Sequence, residues 1–551
     1  MPNHTELLEL LLKNRGVPPE DYDKFLTPSY EKHLYDPFLM KDMERAVVRI
    51  FEATEAKENI VIYSDYDCDG IPAAVIMHDF FTKIGYENFR VYIPDRHDEG
   101  YGLHMDAIKE FIDTGVNLII TFDLGITAIK EVADAQANGI DVIITDHHLP
   151  HEVVPNAYAI LNPKQEGCNY PDKMLCGAGL AFKLVQALTK KYSEYWNLPT
   201  GWEKWLLDMA GVATLADQVP LLDENRVLAF YGLKVLQKNR RPGLQELWKK
   251  MAINPATLVE DDVTFMLAPR LNAASRMDSP MRSFEVLSES DPAKARVLAE
   301  HLEKINTERK SNVAHIMKEV KATLSKREEK SIIVIGNPKW RVGVLGLVAS
   351  KLVEEHKKPA FVWGSEGSDT IRGSCRSFGG VNLVELMTGL PQGSLMEFGG
   401  HVGAGGFSVA HEEVHFLEER LLEVHKTIPI IETKEESYTI DAHLSFDDIT
   451  EANYRVVEQL APYGMANPKP TFLFQNSEIT EVKEFGKEKN HLELTFKNSK
   501  GRDVKAIAFF KTRDSFTHLL KVGERINLVA TFEKSYFAGR TTLRLRIVDI
   551  T

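Results

Sequence analysis

The stretch that decides the fold is Val61-Ile62-Tyr63-Ser64-Asp65-Tyr66-Asp67-Cys68-Asp69-Gly70. Its apolar first residues predict a buried parallel strand, and residues 71–81 predict the helix that follows. Alternate residues at a strand end point the same way, so Asp65 and Asp67 can converge on one point. Two converging carboxylates repel each other unless a cation lies between them. The stretch therefore predicts a divalent metal site at the carboxyl edge of an open α/β sheet.

Two other structures use a similar run of aspartates. A calcium-binding EF-hand loop follows a helix and carries a bidentate Glu at its twelfth position. Here a strand is predicted before the motif and the twelfth position is Ile76, so an EF-hand is excluded. An acidic cap at a helix start is the second alternative, because Asp is favourable there without any metal. Additional candidate ligands elsewhere in the chain would favour metal binding over capping.

The composition limits the class of protein. A chain of 551 residues predicts three or four domains, at about 100–200 residues each. No run approaches the ~18 apolar residues of a membrane span, and the first residues lack the pattern of a signal peptide. Four cysteines without a Cys-x-x-Cys pair argue against a zinc ribbon or a disulfide framework, so a reducing cytoplasm is expected. The net charge of -14 does not by itself indicate nucleic acid.

After residue 60, short apolar runs alternate with amphipathic segments, which predicts a doubly wound parallel sheet. The predicted strands lie at residues 60–63, 89–93, 117–122, 141–145 and 157–161. Two of them end in polar residues, namely Asp123 and the triplet Asp146-His147-His148. A helix predicted from about Trp202 ends at Asp217. These residues are the further candidates for metal ligands.

The topology of a parallel sheet brings these candidates together. Its strands share a carboxyl edge, so Asp123 and His147 fall beside the first two aspartates. Three carboxylates and an imidazole are costly to cluster without a positive charge. The mixed oxygen and nitrogen ligands favour Mn²⁺ over Ca²⁺, with Mg²⁺ bound less specifically. The combination favours a metal site over simple helix capping.

The motifs together resemble those of the DHH phosphoesterase superfamily: Asp-Tyr-Asp-Cys-Asp-Gly at 65–70, Asp123-Leu124-Gly125, Asp146-His147-His148 and Ala216-Asp217-Gln218-Val219-Pro220. From about residue 45 to its end, the chain is similar to the RecJ branch of that superfamily, the single-strand-specific 5′→3′ DNA exonucleases. The resemblance implies two Mn²⁺ ions bridged by a shared Asp and a hydroxide. It also implies release of 5′-mononucleotides and a role in DNA repair and recombination.

The resemblance further implies roles for individual residues. One ion would be held by Asp67, Asp123, His147 and Asp217. Asp65 would help to hold the other ion, with Asp123 as the bridge. Asp69 and Asp146 would orient ligands or cap helices, and His148 would lie near the scissile phosphate. No role is expected for the thiol of Cys68.

Two segments of the same domain carry cations. Residues 94–102 form a Gly-rich loop with Arg96, and residues 268–276 contain Arg270, Asn272 and Arg276. Arginines make charge-assisted and often bidentate bonds to phosphate, so both segments are candidate phosphate clamps. Surface ion pairing is the alternative. The two segments resemble the parts of RecJ proteins that contact the 5′ end of the DNA strand.

From Pro292 to about Arg327 the sequence is almost free of Gly and Pro and predicts one long helix between two domains. The next unit begins with predicted strands at 331–335 and 360–363 and contains a Gly-rich segment at 398–406. Closely spaced glycines let backbone amides approach phosphate oxygens. The Gly-Gly-His…Ala-Gly-Gly form resembles the substrate-binding DHHA1 domain. Its candidate contacts are Ser374, Arg376, Gly400 and His401.

The remainder of the chain is rich in predicted strands, at residues 438–440, 471–474, 491–496, 504–510, 526–531 and 541–548. Five or six short strands in about 110 residues predict a small barrel, and the OB-fold is the common barrel that binds single strands. Between Lys483 and Arg546 there are 15 Lys and Arg against 7 Asp and Glu, so the acidic chain carries a basic region. Candidate base-stacking side chains there are Phe485, Phe509, Phe510, Tyr536 and Phe537.

The predicted architecture is α/β with five parts along the chain: an N-terminal helical segment (1–45), a DHH catalytic domain with a doubly wound parallel sheet (46–290), a long linker helix (291–330), a smaller α/β DHHA1 substrate-binding domain (331–432) and a C-terminal OB-fold β-barrel (433–551). The expected protein is a monomeric, metal-dependent exonuclease of single-stranded DNA. A single-strand-binding protein and a RecQ-type helicase are its candidate partners, and no membrane is involved.

Two other functions stay open. One is a DHH phosphodiesterase for short oligonucleotides, nucleotide bisphosphates or cyclic dinucleotides. The basic barrel and the linker helix argue against it, because a small substrate needs neither. The other is a non-catalytic replication scaffold that has lost its metals, and the presence of all the expected ligands argues against that.

Overall fold

The structure, a computed structural model, describes residues 4–368, 370–428, 438–486, 489–537 and 540–551, apart from five side chains near the ends of these ranges: His4, Tyr536, Phe537, Arg540 and Thr541. The chain divides into two units. The larger unit comprises residues 36–217 and 232–435, and the smaller unit comprises residues 1–35, 218–231 and 436–551. None of the described helices is long and apolar enough to cross a membrane.

The helices in the described ranges are α1 (His4–Asn14), α2 (Tyr22–Leu26), α3 (Tyr30–His33), α4 (Met43–Ala56), α5 (Gly70–Lys83), α6 (Met105–Asp113), α7 (Ile129–Ala137), α8 (Gly177–Tyr192), α9 (Leu207–Ala216), α10 (Asp223–Leu236), α11 (Pro242–Met251), α12 (Ala268–Met277), α13 (Met281–Ser288), α14 (Pro292–Leu324), α15 (Leu345–His356), α16 (Leu383–Thr388), α17 (Val414–His425) and α18 (Glu451–Glu458). The strands are β1 (Ile60–Ser64), β2 (Phe89–Tyr92), β3 (Leu118–Phe122), β4 (Asp141–Thr145), β5 (Ala159–Leu161), β6 (Ile333–Gly336), β7 (Ala360–Gly364), β8 (Ile371–Arg376), β9 (Glu397–His401), β10 (Ala404–Val409), β11 (Ala442–His443), β12 (Phe472–Glu478), β13 (Glu481–Phe485), β14 (His491–Lys497), β15 (Asp503–Ala508), β16 (Arg525–Phe537) and β17 (Arg540–Ile550).

The N-terminal lobe of the larger unit is built on the sheet β2-β1-β3-β4-β5, in which all strand pairs are parallel. Every residue of β1 and β3 is buried, so both faces of the sheet are covered. This confirms the predicted doubly wound sheet. The strand order reverses between β1 and β3, and open sheets of this kind bind their ligands at the carboxyl ends of such strands.

The register of the sheet sets the height of the motif residues. Ser64 pairs with Phe122, and Phe122 pairs with Thr145, so the last residues of β1, β3 and β4 lie in one row. The next residue of each strand is an aspartate: Asp65, Asp123 and Asp146. Three carboxylates therefore leave the sheet at the same level.

The C-terminal lobe of the larger unit contains the sheet β6-β7-β8-β10-β9. Helix α14, with 33 residues, leads into this lobe and confirms the predicted linker helix. One apolar core contains Met277 of α12, Ile316 of α14 and Val344 before α15. The two lobes therefore share a core along α14, which fixes their geometry.

The smaller unit is built on the sheet β11-β12-β16-β17-β15-β14-β13. The prediction of a strand at 438–440 was wrong: those residues are irregular, and Tyr438 reaches β17 through its hydroxyl, which donates to Asp549 at 2.7 Å, and not through a strand ladder. Strand β13 was not predicted, because its charged residues hide the alternation of a half-buried strand.

The N-terminal segment supplies part of the core of the smaller unit. Leu7, Leu11 and Leu12 of α1 are buried together with apolar residues of the strands, Leu528 and Leu545 among them. This packing could not be predicted, since the sequence of an amphipathic helix does not reveal its partner. Helix α1 is thus a structural component of the C-terminal strand unit.

The exposed neighbour Leu10 offers a matched test of this packing. Leu11 is fully buried, whereas Leu10 is 36% exposed. Leu11→Ala is expected to lower the free energy of unfolding by about 2–4 kcal/mol, because it leaves a cavity in the core. Leu10→Ala is expected to change it by less than about 1 kcal/mol. Urea unfolding of the two variants measures both values, and equal effects would contradict the packing.

Candidate metal centre

Asp65 and Asp123 lie at the switch point between β1 and β3. Both are buried, with 4% and 3% of their surface exposed. Asp123 has a positive φ of 62°, and Gly125 follows with a φ of 114°. Asp tolerates this left-handed conformation better than most residues. The tight turn lets the Asp123 carboxylate stay at the sheet edge.

Asp67 and Asp69 are held by helix amides. The amides of Asp69 and Gly70 donate to Asp67 Oδ1, at 2.7 and 3.2 Å. The amides of Gly177 and Ala178, at the start of α8, donate to the two oxygens of Asp69, at 2.6 and 2.7 Å. Asp69 is therefore fixed by a helix N-terminus, which suits an orienting role. Asp67 caps α5 and still takes part in the acidic cluster, so the two interpretations of the motif are compatible.

Three groups of side chains could each hold a metal ion. Within each group the ligand atoms lie within 4.8 Å of one another. The first group is Asp65, Asp67 and Asp123, the second is Asp69, His147 and Asp217, and the third is Asp123, His147 and His148. Asp123 is shared by two groups, and so is His147. All five predicted ligands lie in these groups, but Asp69 takes the place of Asp67 beside His147 and Asp217. The predicted division of the ligands between two ions, with Asp123 shared, stays a prediction.

The electrostatics of the cluster call for positive charge. Burial, followed by repulsion from neighbouring aspartates, raises the pKa of Asp65 and Asp123 well above the usual range and that of Asp217 to about 8. Within the described part of the chain, Asp65 Oδ1 and Asp123 Oδ1 are buried without a hydrogen-bond donor. Divalent cations would stabilise the ionised carboxylates.

His147 suits a metal in its neutral form. Burial, followed by the charge of His148, lowers the pKa of His147 to about 4. Its Nε2 lies 3.1 Å from Asp123 Oδ1. A neutral imidazole beside carboxylates favours Mn²⁺ over Mg²⁺, because Mg²⁺ prefers oxygen ligands alone. The residues present therefore fit Mn²⁺.

His148 is oriented by Asp146. Asp146 Oδ1 lies 2.8 Å from His148 Nδ1, and Asp146 Oδ2 accepts the amide of Ile126. Burial raises the pKa of Asp146, but the hydrogen bond and the charge of His148, together with the amides of Ile126 and His148, outweigh burial and leave the pKa below its usual value. The same bond raises the pKa of His148 despite burial. The pair directs Nδ1 inward, so Nε2 is the ring nitrogen available to a substrate.

A brace behind the two histidines was not predicted from the sequence. Asn162 Nδ2 donates to the carbonyl of His148 at 2.9 Å, and Lys164 Nζ donates to the carbonyl of His147. The amide of Lys164 in turn donates to Asn162 Oδ1. The signal was available: Asn162 follows β5 directly, at the same sheet edge as the aspartates. Tyr101 was also missed, and its hydroxyl donates to the Asp123 carbonyl at 3.2 Å.

A cluster of arginines, called the phosphate clamp here, is formed by Arg96, Arg276, Arg309 and Arg376. None of the four makes an ion pair with another described residue. Burial, followed by repulsion from the other three, lowers the pKa of Arg276 to about 9. Such a cluster suits an anion with several oxygens. Arg309 was not predicted, because nothing in the sequence of a long helix marks which face meets the other lobe.

The clamp depends on close contact between the two lobes. Arg276 Nη1 donates to the Gly343 carbonyl at 3.2 Å, and Arg372 donates to the His97 carbonyl. A Cβ on Gly343 would come within 2.1 Å of the Arg276 carbonyl, so only Gly fits there. Arg376 Nη1 donates to Ser374 Oγ at 3.1 Å, beside the start of α15. Residues from both lobes thus meet at one place.

The other predicted contacts lie outside this cluster. Arg270 is 6% exposed and donates to Glu303 at 2.6 Å, so it ties α12 to α14 and its charge is already balanced. The structure therefore favours a structural role for Arg270 over the predicted phosphate contact. Asn272 Oδ1 is buried without a hydrogen-bond donor in the described residues and stays a candidate.

Gly400 and His401 lie on the exposed edge strand β9. Ala404 of β10 pairs with His401 on one side and Arg376 on the other, so these three residues share one row. A Cβ on Gly400 would come within 2.3 Å of the Ala404 carbonyl. The roles of both residues stay predictions.

The smaller unit carries an aromatic and basic patch, formed by His491, Phe509, Phe510, Arg544 and Arg546. The guanidinium carbons of Arg546 and Arg544 lie 4.2 and 5.7 Å from the ring centre of Phe509. Phe510 is 81% exposed, and its ring packs edge-on against His491. The side chains of Tyr536 and Phe537 lie outside the described residues. Arg544 also pairs with Glu533 at 2.5 Å. Aromatic rings beside arginines are typical of single-strand binding.

The chain contains three domains that known protein families share. Family models match three parts of the chain: the N-terminal domain of the DHH family at residues 59–214, the DHHA1 domain at 328–427 and the RecJ OB domain at 440–549. This is a DHH protein with both accessory domains, and the match at 440–549 confirms the OB-fold expectation.

Similar proteins then define the family. The single-stranded-DNA-specific exonuclease RecJ of Bacillus subtilis (strain 168) is 35% identical over 99% of this chain and 68% of its own length. That of Dickeya dadantii (strain 3937) is 31% identical over 85% of this chain and 83% of its own length. The crystal structure of RecJ from Thermus thermophilus in complex with Mn²⁺ matches with a TM-score of 0.81 and 25% identity, over 99% of this chain and 76% of that chain. The chain belongs to the RecJ family.

Asp123→Asn tests the shared ligand. Asn keeps the shape of Asp and tolerates the positive φ of 62°, so the variant is expected to fold while losing a carboxylate between the two sites. We expect Mn²⁺ affinity, measured by titration calorimetry, to fall roughly tenfold or more and hydrolysis to be lost. Asp113→Asn, at an exposed position of α6, is the control. Unchanged Mn²⁺ binding in Asp123→Asn would refute the shared site.

Asn162→Ala tests the brace. Loss of the support behind His148 is expected to lower Mn²⁺-dependent activity or Mn²⁺ affinity about 10–100-fold, the usual cost of losing a residue that orients a ligand. The exposed Asn138, whose side-chain amide donates to the Asp134 carbonyl on its own helix, provides the control Asn138→Ala. Activity that is the same in both variants would show that the brace has no functional effect.

Proposed function

We propose that this chain is a single-stranded-DNA-specific exonuclease that degrades from the 5′ end and releases 5′-mononucleotides. The observation that carries the proposal is the juxtaposition, within one unit, of a carboxylate–histidine cluster and four arginines without acidic partners among the described residues. The first can hold divalent cations, and the second can hold a phosphate. Membership of the RecJ family supports the same activity, since its named relatives are exonucleases of single-stranded DNA.

The chemistry follows from the residues. Divalent ions at the cluster would supply Lewis acidity and a nucleophilic water. Asp65, Asp67, Asp123, His147 and Asp217 would hold these ions, and Asp69 would keep its neighbours in place. His148, held by Asp146, would offer Nε2 to an oxygen of the scissile phosphate or to the departing 3′-oxygen.

The direction of degradation follows from charge. A terminal 5′-phosphate carries more negative charge than an internal diester, and the clamp offers four guanidinium groups that no described acid neutralises. Arg96 and Arg276 come from the N-terminal lobe, and Arg376 with Ser374 comes from the C-terminal lobe. A phosphate gripped between the lobes would place the first internucleotide linkage over the metal cluster. Each cut would then expose a new 5′-phosphate.

We further propose that the protein acts as a monomer in the cytoplasm, with a single-strand-binding protein and a RecQ-type helicase as partners. A helicase would supply single strands, and a strand-binding protein would keep them open. The aromatic and basic patch would bind the single strand. This use of a basic strand-binding barrel favours a polymeric substrate over a small phosphodiester.

Arg376→Ala tests the direction of degradation. Charge-assisted bonds to phosphate are worth about 1.5–3 kcal/mol, so the variant is expected to lose roughly tenfold or more of the preference for 5′-phosphorylated over 5′-hydroxyl strands. Degradation rates of the two end-labelled strands measure it. Arg296→Ala, at an exposed position of α14, is the matched control. An unchanged preference, or digestion that starts from 3′ ends, would contradict the proposed clamp.

Point variants test strand binding by the smaller unit. Phe510→Ala, in the aromatic and basic patch, is expected to weaken binding of long single strands roughly tenfold, because base stacking is worth about 1–3 kcal/mol. Lys483→Ala, at an exposed position of the basic region, is expected to lower the slope of log K against log salt by about 0.7. Hydrolysis of very short oligonucleotides should be unchanged in both.

Phe416→Ala is the control for Phe510, since Phe416 is 50% exposed on α17 in the larger unit. Deletion of the whole strand unit after residue 432 would be a poorer experiment, because it removes the partners of Leu7, Leu11 and Leu12. Strand affinity that is the same for Phe510→Ala and Phe416→Ala would exclude this patch as a binding surface.

A further inference from the structure

A cavity of about 1270 Å³ lies in the N-terminal lobe, apart from the metal cluster. It is lined by the end of α5, the 3-10 segment Trp202–Leu206 and the facing parts of α11, α13 and α14. Helix α5 begins at Gly70 beside the cluster, whereas its lining residues Asp79 and Lys83 lie nine and thirteen residues later. At 1.5 Å per residue, this places the cavity about 14–20 Å along the helix from the metal centre.

The base of the cavity is fixed by Arg241. Its guanidinium pairs with Asp79 at 2.8 Å and with Asp208 at 2.6 Å, and it also donates to the Leu287 carbonyl. Only 13% of the Arg241 side chain is exposed. The positive charge of Arg241 is therefore balanced by two carboxylates and is not available to a ligand. Through these contacts Arg241 joins α5, α9 and α13 at the wall of the cavity.

Of the other acids that line the cavity, Glu285 pairs with Arg282 at 3.0 Å. Glu289 accepts the amide of Asp291 and keeps its negative charge. In contrast, three exposed cations of the lining make no ion pair with any described residue; they are Lys83, Arg240 and Lys294. The lining as a whole has five Lys and Arg side chains against four Asp and Glu, and its unpaired positive charge is concentrated on these three residues.

One of these cations is stacked on an aromatic ring. The guanidinium carbon of Arg240 lies 3.8 Å from the ring centre of Trp205, which is itself 40% exposed, and Trp202 lines the same cavity. An indole with a guanidinium over it forms a planar surface on which a second planar ring can stack. Lysines are the compact charges that bind phosphate without fixed geometry.

We propose that this cavity binds a nucleotide unit, with its base against Trp205 and Arg240 and its phosphate held by Lys83 and Lys294. The volume is ample for such a ligand, since binding pockets for small ligands are typically about 300–1,000 Å³. The unit could belong to a free 5′-mononucleotide or to a single strand that passes over this face. Both sources present the same base and phosphate to the same four residues.

The test uses the full chain with a chelator, so that binding is independent of hydrolysis and of the proposed activity. The background variant Arg376→Ala weakens the phosphate clamp as a second nucleotide site. The probe is dGMP, followed by tryptophan fluorescence, because Trp202 and Trp205 line the cavity, and by calorimetry for stoichiometry. Saturable binding of one dGMP is expected.

Charge reversals locate the site. Arg240→Glu and Lys83→Glu are each expected to weaken dGMP binding roughly tenfold or more, and both residues are exposed, so the variants should fold. Trp205→Ala is expected to remove the fluorescence change, and Trp205→Phe to retain part of the affinity. Lys249→Glu is the control, because Lys249 is exposed on α11 but does not line the cavity.

Two further probes identify the ligand. A tetranucleotide with a 5′-hydroxyl separates the sources: binding as tight as that of dGMP assigns the site to a passing strand, and weaker binding assigns it to the free mononucleotide. Inorganic phosphate that binds as tightly as dGMP would overturn the proposal, since no base would be recognised. Equal dGMP affinity in Arg240→Glu, Lys83→Glu and the background variant would overturn it as well.

Discussion

Repulsion among buried carboxylates is the constraint on which the rest of the structure depends. The register of β1, β3 and β4 brings Asp65, Asp123 and Asp146 out of the sheet at one level. Burial raises the cost of their charges, so the fold must provide positive partners. Backbone amides stabilise the charge of Asp69, and His148 stabilises that of Asp146. Beside Asp65 and Asp123 the fold leaves a site that cations can occupy.

The surrounding elements answer that constraint. The start of α8 gives two amides to Asp69, and Gly177 is needed there because a Cβ would come within 2.6 Å of Asp123 Cβ. Across the cleft, arginines accumulate without acidic partners in the described ranges, and burying their charges is costly in the same way. Each cluster is complete only with a ligand of opposite charge. The two lobes share a core along α14, so the two clusters keep a fixed separation.

Much of the site could be predicted because its residues follow strand ends. A strand is recognisable from its apolar run, and the residue after it lies at the sheet edge whatever the rest of the chain does. Asp65, Asp123 and His147 were found in this way. Asn162 follows β5 in the same manner and was overlooked only because Asn and Lys are ordinary loop residues. Arg309 had no such marker, since a helix sequence does not show which face meets another lobe.

The sequence by itself determined the doubly wound sheet, the linker helix and the position of Asp65 and Asp123 as candidate metal ligands, because each depends on local periodicity or on a strand end. Only the tertiary structure decided that α1 fills the core of the smaller unit, that Arg270 is neutralised by Glu303, and that Arg240 lies over Trp205. These contacts join residues distant in sequence. Pairing of this kind depends on how elements pack, and no local pattern records it.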